Sequence, residues 1–185
     1  MINNDVMRSI RYMLDLSDSK VVEVIQLADA NFPIEKADVH ALLTKEGEEG
    51  FVECSNRVLA HFLDGLVVYY RGRDESLPPR PVETHVTNNV ILKKLRVAFQ
   101  LKDVDMHEIF QSAGFPLSKP ELTALFRQAD HKHFRLCGDQ ILRNFLSNAI
   151  KFTERGRVTL RVGEQQGEIV FAVQDTGIGI PQAEQ

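Results

Sequence analysis

The amino-acid sequence contains two copies of one pattern, and this duplication constrains the fold more than any other feature of the chain. The segment NDVMRSIRYMLDL, which begins at Asn4, is matched by NVILKKLRVAFQL, which begins at Asn89. Further pairs follow in the same order after one small length change: Phe32 with Phe115, Ala41 with Ala124, Phe51 with Phe134, Cys54 with Cys137 and Phe62 with Phe145. The sequence therefore predicts two structural units with the same fold.

Each copy is predicted to be helical, because its apolar residues recur at helical spacing. Val6, Ile10 and Met13 fall on one face of a first helix, and Val21 and Val24 do the same in the next segment. We expect short third helices over about residues 34–44 and 119–127. Fourth helices should begin near residues 56 and 139.

Several polar residues are placed to begin these helices. Ser17 and Asp103 are the predicted N-caps of the second helix of each copy, since such side chains accept a hydrogen bond from the first turn. Ser118 and Glu121 have the spacing of a capping box before the third helix of the second copy.

Residues 71–88, with the sequence RGRDESLPPRPVETHVTN, separate the two copies and hold three of the chain's seven prolines. This composition is typical of a stiff, extended linker. The predicted organisation is therefore helical repeat one over residues 1–70, a linker over residues 71–88 and helical repeat two over residues 89–146.

The pattern changes after Leu146, where the second copy departs from the first. Apolar and polar residues alternate over residues 158–162 and again over 169–173, which predicts two half-buried strands. Residues 163–167 would connect them as a hairpin loop, and a glycine-rich turn follows. The expected fold is mainly α: two tandem four-helix repeats followed by a short helix-plus-β-hairpin fragment.

Composition excludes some classes of function. The net charge of −4 and the pI near 5.9 argue against a broad nucleic-acid-binding surface, which needs clustered Lys and Arg; only Lys93, Lys94 and Arg96 offer a local basic patch. No apolar run approaches the ~20 residues that a bilayer span needs. Because the first residues, MINND, do not resemble a signal peptide, we expect a cytoplasmic protein without a membrane partner.

The two cysteines, Cys54 and Cys137, occupy equivalent places in the two copies. Two cysteines are too few for a disulfide scaffold, and free cysteine is usually a small buried hydrophobe, so we interpret both as core residues. A reactive pair is the alternative. Cys137 could also join His131 and His133 in a zinc site, although no fourth ligand is evident.

Residues 1 to about 146 resemble the uncharacterised YehS-like proteins of bacteria, which are built from two such helical repeats. The resemblance rests on the segments RYMLDLSDSKVVEVI, ECSNRVLAHFLDGLV, TNNVILKKLRVAFQLK and CGDQILRNFL. It implies an all-helical, two-repeat fold, and it implies no particular activity.

Residues 140–185 resemble the ATP-binding domain of sensor histidine kinases, an α/β ATPase domain. The segment QILRNFLSNAIKFTERG resembles its N box, and DTGIGIP resembles its first glycine box. A helix over residues 139–152 would then end repeat two and begin the kinase-like fragment, so the chain would be a fusion, natural or engineered. If so, we expect Phe145 and Leu146 to contact the helical repeats.

The spacing in the N box suits a nucleotide site. Asn144, Asn148 and Lys151 share one face of a helix. Amide oxygens suit Mg²⁺, and an ammonium group suits a phosphate. By resemblance, Asn148 would be the metal ligand, Asn144 its companion and Lys151 the phosphate contact. The alternative interpretation of this stripe is a solvated helix face.

The glycine box would complete the site. By resemblance, Asp175 would accept a hydrogen bond from the adenine amino group, and Gly177 and Gly179 would let the backbone approach the base. The implied cofactor is ATP or ADP with Mg²⁺, and no catalytic residue is implied. Without the resemblance, Asp-Thr-Gly is typical of a turn.

Other parts of a kinase are not recognisable. A lid and a second glycine box would follow Pro181, and the only His-Glu pair, His107-Glu108, lacks the Arg and Pro of a phosphoacceptor segment. We therefore expect an incomplete ATP-binding module without kinase activity of its own. Its hairpin would expose strand edges through which the chain could form a homo-oligomer.

Two hypotheses of function follow. The first is a two-component-signalling-related protein that carries an incomplete ATP- and Mg²⁺-binding module. The second is a non-enzymatic helical interaction module with a passive or dimerising β-hairpin tail.

Overall fold

The computed structural model describes the backbone of residues 1–73, 81–153, 158–165 and 168–175, and the side chains of residues 1–73 and 81–149. Within these ranges, eight α-helices form two groups of four. The helices of repeat one are α1 (Asn3–Met13), α2 (Asp18–Ala28), α3 (Lys36–Leu43) and α4 (Asn56–Arg71). The helices of repeat two are α5 (Asn88–Ala98), α6 (Asp103–Ser112), α7 (Lys119–Leu125) and α8 (Asp139–Thr153). The predicted mainly helical, tandem-repeat fold is confirmed.

The two repeats pack against each other along two equivalent seams. Helix α2 packs on α4 within repeat one, and α6 packs on α8 within repeat two. Between the repeats, α4 packs on α5 and α1 packs on α8. Because α1 corresponds to α5 and α4 to α8, the first and last helices of the body meet, and a single apolar core runs through both repeats.

Helix starts follow the predicted caps with one exception. The Ser17 side chain accepts a hydrogen bond from the backbone of α2, and Ser118 with Glu121 forms the predicted capping box of α7. The prediction for Asp103 is wrong, because Lys102 is the N-cap of α6 and its backbone N–H donates to Asp105 at 2.7 Å. Asp103 lies inside the helix, where it pairs with Arg96 at 2.6 Å.

An asparagine at the start of α1 ties three segments of repeat one together. The Asn4 side chain is fully buried, and it donates to the carbonyl oxygens of Leu42 and Val52 at 2.9 and 2.8 Å and accepts from the N–H of Cys54 at 2.9 Å. In repeat two, Asn89 makes the same three bonds to Leu125, Arg135 and Cys137. Buried polar groups of the backbone are thereby satisfied.

Helices α2 and α4 approach so closely that only glycine fits at residue 65. A Cβ atom built on Gly65 would lie 1.8 Å from the carbonyl oxygen of Val24, which is far inside van der Waals contact. The repeat alignment places Asn148 of α8 at the equivalent position in repeat two. Side chains along this seam therefore differ between the two repeats.

Both cysteines are free and buried, which confirms their interpretation as core residues. The Cys54 thiol lies 3.2 Å from the Met7 sulfur. Burial raises the pKa of both thiols to about 12. Because the thiolate is the nucleophilic form, neither cysteine has the surroundings of a reactive thiol.

Two strands follow the helical body, β1 (Val158–Gln165) and β2 (Glu168–Asp175). They pair antiparallel, with Leu160 opposite Val173 and Val162 opposite Phe171. Strand β1 therefore continues through Gly163, where the sequence predicted the beginning of a loop. None of the helices in the described part of the chain combines the length and apolar character needed to cross a membrane.

Candidate functional site

Helix α8 carries the predicted metal and phosphate residues, and its apolar face belongs to the helical body. The face is fully or almost fully buried, and it consists of Ile141, Leu142, Phe145, Leu146 and Ala149. Helices α1, α5 and α6 cover it, and the rings of Phe110 and Phe145 lie 6.0 Å apart. The expectation that Phe145 and Leu146 contact the repeats is therefore confirmed.

Asn144 and Asn148 lie at the margin of this face, and both are half-buried. The Asn148 amide donates to the backbone carbonyl of Asn144 at 3.0 Å, and Gln140 donates to the side-chain oxygen of Asn144 at 2.9 Å. Within the described residues, the side-chain oxygen of Asn148 accepts no hydrogen bond. An amide oxygen is a hard ligand of the kind that Mg²⁺ prefers, and Mg²⁺ in proteins usually keeps several bound waters.

The polar residues of this helix are not a property of the repeat. Alignment of the two copies places His61 opposite Asn144, and Gly65 opposite Asn148. His61 is buried and its ring packs 4.2 Å from that of Phe32. The packing of repeat one therefore gives no reason for amides at these positions in repeat two.

The remaining predicted site residues belong to the last part of the chain. Lys151 lies in the last turn of α8, and Asp175 is the last residue of β2. Gly177 and Gly179 lie outside the described residues. The structure places Asn144 and Asn148 next to each other on α8, and the roles of all six predicted site residues stay predictions.

A cleft lies between α1 and α8, and the sequence did not predict it. Its volume is about 370 Å³, and Ser9, Tyr12, Arg143 and Ser147 are among the residues that line it. At the equivalent seam between α4 and α5, Lys94 and Asp64 form an ion pair across the interface. In the repeat alignment, Ser9 and Ser147 replace these two long side chains. Alignment of the two copies was the signal that could have revealed the cleft.

The charge at the start of α8 is balanced locally. Asp139 pairs with the amino group of Met1 and accepts from Asn88 at 2.9 Å. The hydrogen bond from that amino group, then the one from Asn88, lowers the pKa of the Asp139 carboxyl. The Asp139 carboxylate thus already binds two groups of the protein, and we infer no ligand-binding role for it.

No second functional site is formed by His107, His131 and His133. The ring of His107 is half-buried, and its Nδ1 lies 3.0 Å from the carbonyl oxygen of Leu117. His131 accepts from the backbone of His133 at 3.0 Å. The side chains that the structure describes include no group of three His, Cys, Asp or Glu residues placed to hold a metal ion, so the zinc interpretation is wrong.

Comparison with known proteins finds similarity to a different family in each of the two parts of the chain. Residues 3–72 and 88–156 match the family described as "Protein of unknown function (DUF1456)". The "Uncharacterized protein YehS" of Escherichia coli (strain K12) is 45% identical over 146 residues, which cover 79% of this chain and 92% of that protein. No solved structure matches the chain.

Residues 138–185 match the family described as "Histidine kinase-, DNA gyrase B-, and HSP90-like ATPase". The circadian input-output histidine kinase CikA of Synechococcus elongatus is 54% identical over 59 residues, 31% of this chain and 7% of the kinase. The aerobic respiration control sensor protein ArcB of E. coli (strain K12) is 56% identical over 46 residues, 24% of this chain and 6% of that protein. The chain thus spans less than a tenth of either kinase.

The predicted double resemblance is confirmed, and the two matches overlap over residues 138–156, which include all of α8. The shorter match links this chain by sequence to sensor kinases of two-component systems. The longer one covers both helical repeats, and by it the chain belongs to the DUF1456 family.

Proposed function

We propose that the chain acts as a non-enzymatic helical interaction module, and that its C-terminal part is an ATPase-type fragment without kinase activity of its own. The observation that carries this proposal is the packing of α8. Its apolar face is buried against α1, α5 and α6. An amphipathic helix has one apolar stripe that faces a core, and in α8 the repeats already cover it, so this face is not available to cover a sheet.

The two strands support the same conclusion. A two-stranded sheet is marginal in water unless a helix or further strands cover it. With α8 committed to the repeats, the strands would form the β-hairpin of an α/β ATPase domain without the helix that such a sheet packs on. They would then serve as a passive tail or as a dimerising edge. Sedimentation of the chain with and without residues 154–185 distinguishes these roles, since only a dimerising edge makes the mass depend on those residues.

Nucleotide binding is the second candidate, and the position of Asn148 favours it. Its amide oxygen is unused within the described residues, and it lies beside Asn144 at the margin of the packed face. In this candidate Asn148 binds Mg²⁺ with Asn144 beside it, Lys151 contacts the phosphates, and Asp175, Gly177 and Gly179 hold the adenine of ATP or ADP. The sequence match of residues 138–185 to ATPases supports the same assignment.

One titration separates the two candidates. Calorimetry of ATP·Mg²⁺ into this chain should give no saturable binding at millimolar nucleotide if α8 serves the helical body alone. The nucleotide-binding candidate requires a saturable curve that the Asn148→Ala, Asp175→Ala double variant abolishes. Saturable binding that survives the double substitution would contradict both, because the site would then lie elsewhere. A circular dichroism spectrum of the double variant checks that the fold is retained.

A further inference from the structure

Repeat one has a groove between α3 and the segment that leads into α4. None of the predicted nucleotide-binding residues is among the described residues that line it. Its volume is about 220 Å³. Its floor is apolar, and two acidic side chains stand at its rim. The apolar residues include Phe32, Ile34, Leu42 and Val52, and the acidic residues are Asp38 and Glu53. Val52 is 52% exposed.

The same place in repeat two can be identified from the backbone. The N–H of Val52 donates to the carbonyl oxygen of Ala41 at 3.2 Å, and the N–H of Arg135 donates to that of Ala124 at 3.1 Å. The two bonds connect equivalent residues of the two copies. Arg135 is therefore the structural counterpart of Val52.

In repeat two an arginine side chain lies across this position. Arg135 donates to Oε1 of Glu121 at 2.8 Å, while Oε2 of Glu121 accepts from the backbone of Ser118 at 2.9 Å. In repeat one, Oδ2 of Asp38 accepts from the backbone of Glu35 at 2.8 Å. The other Asp38 oxygen has no partner among the residues that the structure describes. Repeat one therefore keeps the capping carboxylate and has Val52 in place of Arg135, while the guanidinium of Arg57 lies over the ring of Phe32, 5.1 Å from its centroid.

The loops around the two positions also differ in charge. The segment KEGEEGFVE of repeat one, residues 45–53, carries one lysine and four glutamates. Its counterpart QADHKHFRL, residues 128–136, carries one aspartate, one lysine, one arginine and two histidines. The loop beside the open groove is thus acidic, whereas the loop that holds Arg135 is basic.

We propose that the groove of repeat one binds an arginine side chain of a partner protein, with the guanidinium on Asp38 and the aliphatic stem on the apolar floor. Arginine suits this site because its planar group binds carboxylates in a fixed geometry and its stem covers apolar surface. The pair between Arg135 and Glu121 shows the intended arrangement within the same chain. The assignment rests on the proposed interaction role and names the chemistry of its partner.

A peptide with the repeat's own arginine segment provides the probe. We would titrate acetylated and amidated HKHFRLS, which copies residues 131–137 with Cys137→Ser, into the full chain and record amide shifts by NMR. Saturable shifts confined to residues 32–42 and 52–58 are expected. No shifts at millimolar peptide, or shifts outside these residues, would overturn the groove assignment. The ATP titration does not depend on this groove, so the two failures are distinguishable.

Variants test the mechanism of binding. Val52→Arg should fill the groove from within and weaken peptide binding at least tenfold. Asp38→Asn keeps an acceptor for the Glu35 N–H and should weaken binding severalfold. The matched control Glu49→Gln removes the same charge from the nearby loop and should change the affinity by less than twofold. Equal losses for Asp38→Asn and Glu49→Gln would mean diffuse electrostatic attraction and would overturn the proposal.

Stoichiometry gives an independent check. Arg135→Val removes the internal arginine of repeat two and should raise the number of peptides bound from one to two. An unchanged number would overturn the equivalence of the two positions. A concentration-dependent dimer of the parent chain that Val52→Arg dissociates would assign the groove to a second copy and overturn the partner assignment.

Discussion

Gly65→Ala should lower the free energy of unfolding by about 3 kcal/mol or more, as expected for severe overpacking in a core. The new Cβ would lie 1.8 Å from the Val24 carbonyl oxygen, and a backbone atom in a helix cannot rotate away as a side chain can. Helices α2 and α4 would have to separate along their seam. The gain of about 1 kcal/mol from replacing glycine by alanine in a helix is smaller than this loss. Urea unfolding followed by circular dichroism measures the difference.

A glycine with open space around it provides the control for this substitution. A Cβ built on Gly138 meets no atom within 4 Å. Gly138 directly precedes α8, and its carbonyl oxygen accepts a hydrogen bond from the N–H of Leu142 at 3.2 Å. Gly138→Ala should therefore cost no more than about 1 kcal/mol, the range for loss of a favourable N-cap residue. If Gly65→Ala proved as stable as Gly138→Ala, the close approach of α2 and α4 would be wrong.

Asn4→Ala should be the second strongly destabilising change, with an expected loss of about 3 to 5 kcal/mol. The substitution removes three hydrogen bonds and leaves the backbone groups of Leu42, Val52 and Cys54 without their partner. Each such buried group costs about 1–3 kcal/mol when it is left unsatisfied. The loss should appear in the midpoint of urea unfolding, with a smaller change in slope.

Two further asparagine substitutions serve as comparisons for the loss of stability in Asn4→Ala. Asn89→Ala removes the same bonds in repeat two, and it should cost less because Asn89 is only half-buried and water can reach the freed groups. Asn31 is exposed, so Asn31→Ala should change stability by no more than about 0.5 kcal/mol. A loss for Asn4→Ala as small as that for Asn31→Ala would show that these hydrogen bonds do not hold the repeat.

The helices and the core could be predicted because apolar spacing is decided by the sequence itself. Val6, Ile10 and Met13 share a predicted face, and all three are buried. The observed N-cap can lie one residue from the predicted one, because helix ends depend on local hydrogen bonds. At α6 the Asp105 carboxylate binds the Lys102 N–H and so moves the cap one residue before the predicted Asp103.

The close contact at Gly65 and the bonds of Asn4 could not be predicted, because both depend on segments distant in sequence. A glycine inside a helical pattern signals only a weak helix former, and an asparagine near a helix start suggests an ordinary cap. Neither pattern reveals that Val24 or Cys54 is the partner. Tertiary contacts of this kind become visible only when the fold is known.

The sequence predicted which helix carries the candidate site, but it did not predict how that helix packs. The spacing of Asn144 and Asn148 placed them away from the apolar face, and the structure finds them half-buried at its margin. The sequence also predicted that one helix could satisfy two families, but not which one would bury it. That choice is made by the contacts of Phe145 and Leu146 with the repeats.

If the chain is a fusion joined within α8, as the sequence predicts, the buried face of this helix limits where the junction can lie. Each residue turns an α-helix by about 100°, so one codon inserted between Leu142 and Phe145 would move Leu146 from a buried position to the exposed one that Ser147 now holds. Leu142 would stay buried while Leu146 would not. A junction that preserves the rotational phase of this helix keeps Leu146 on the face that packs against the body.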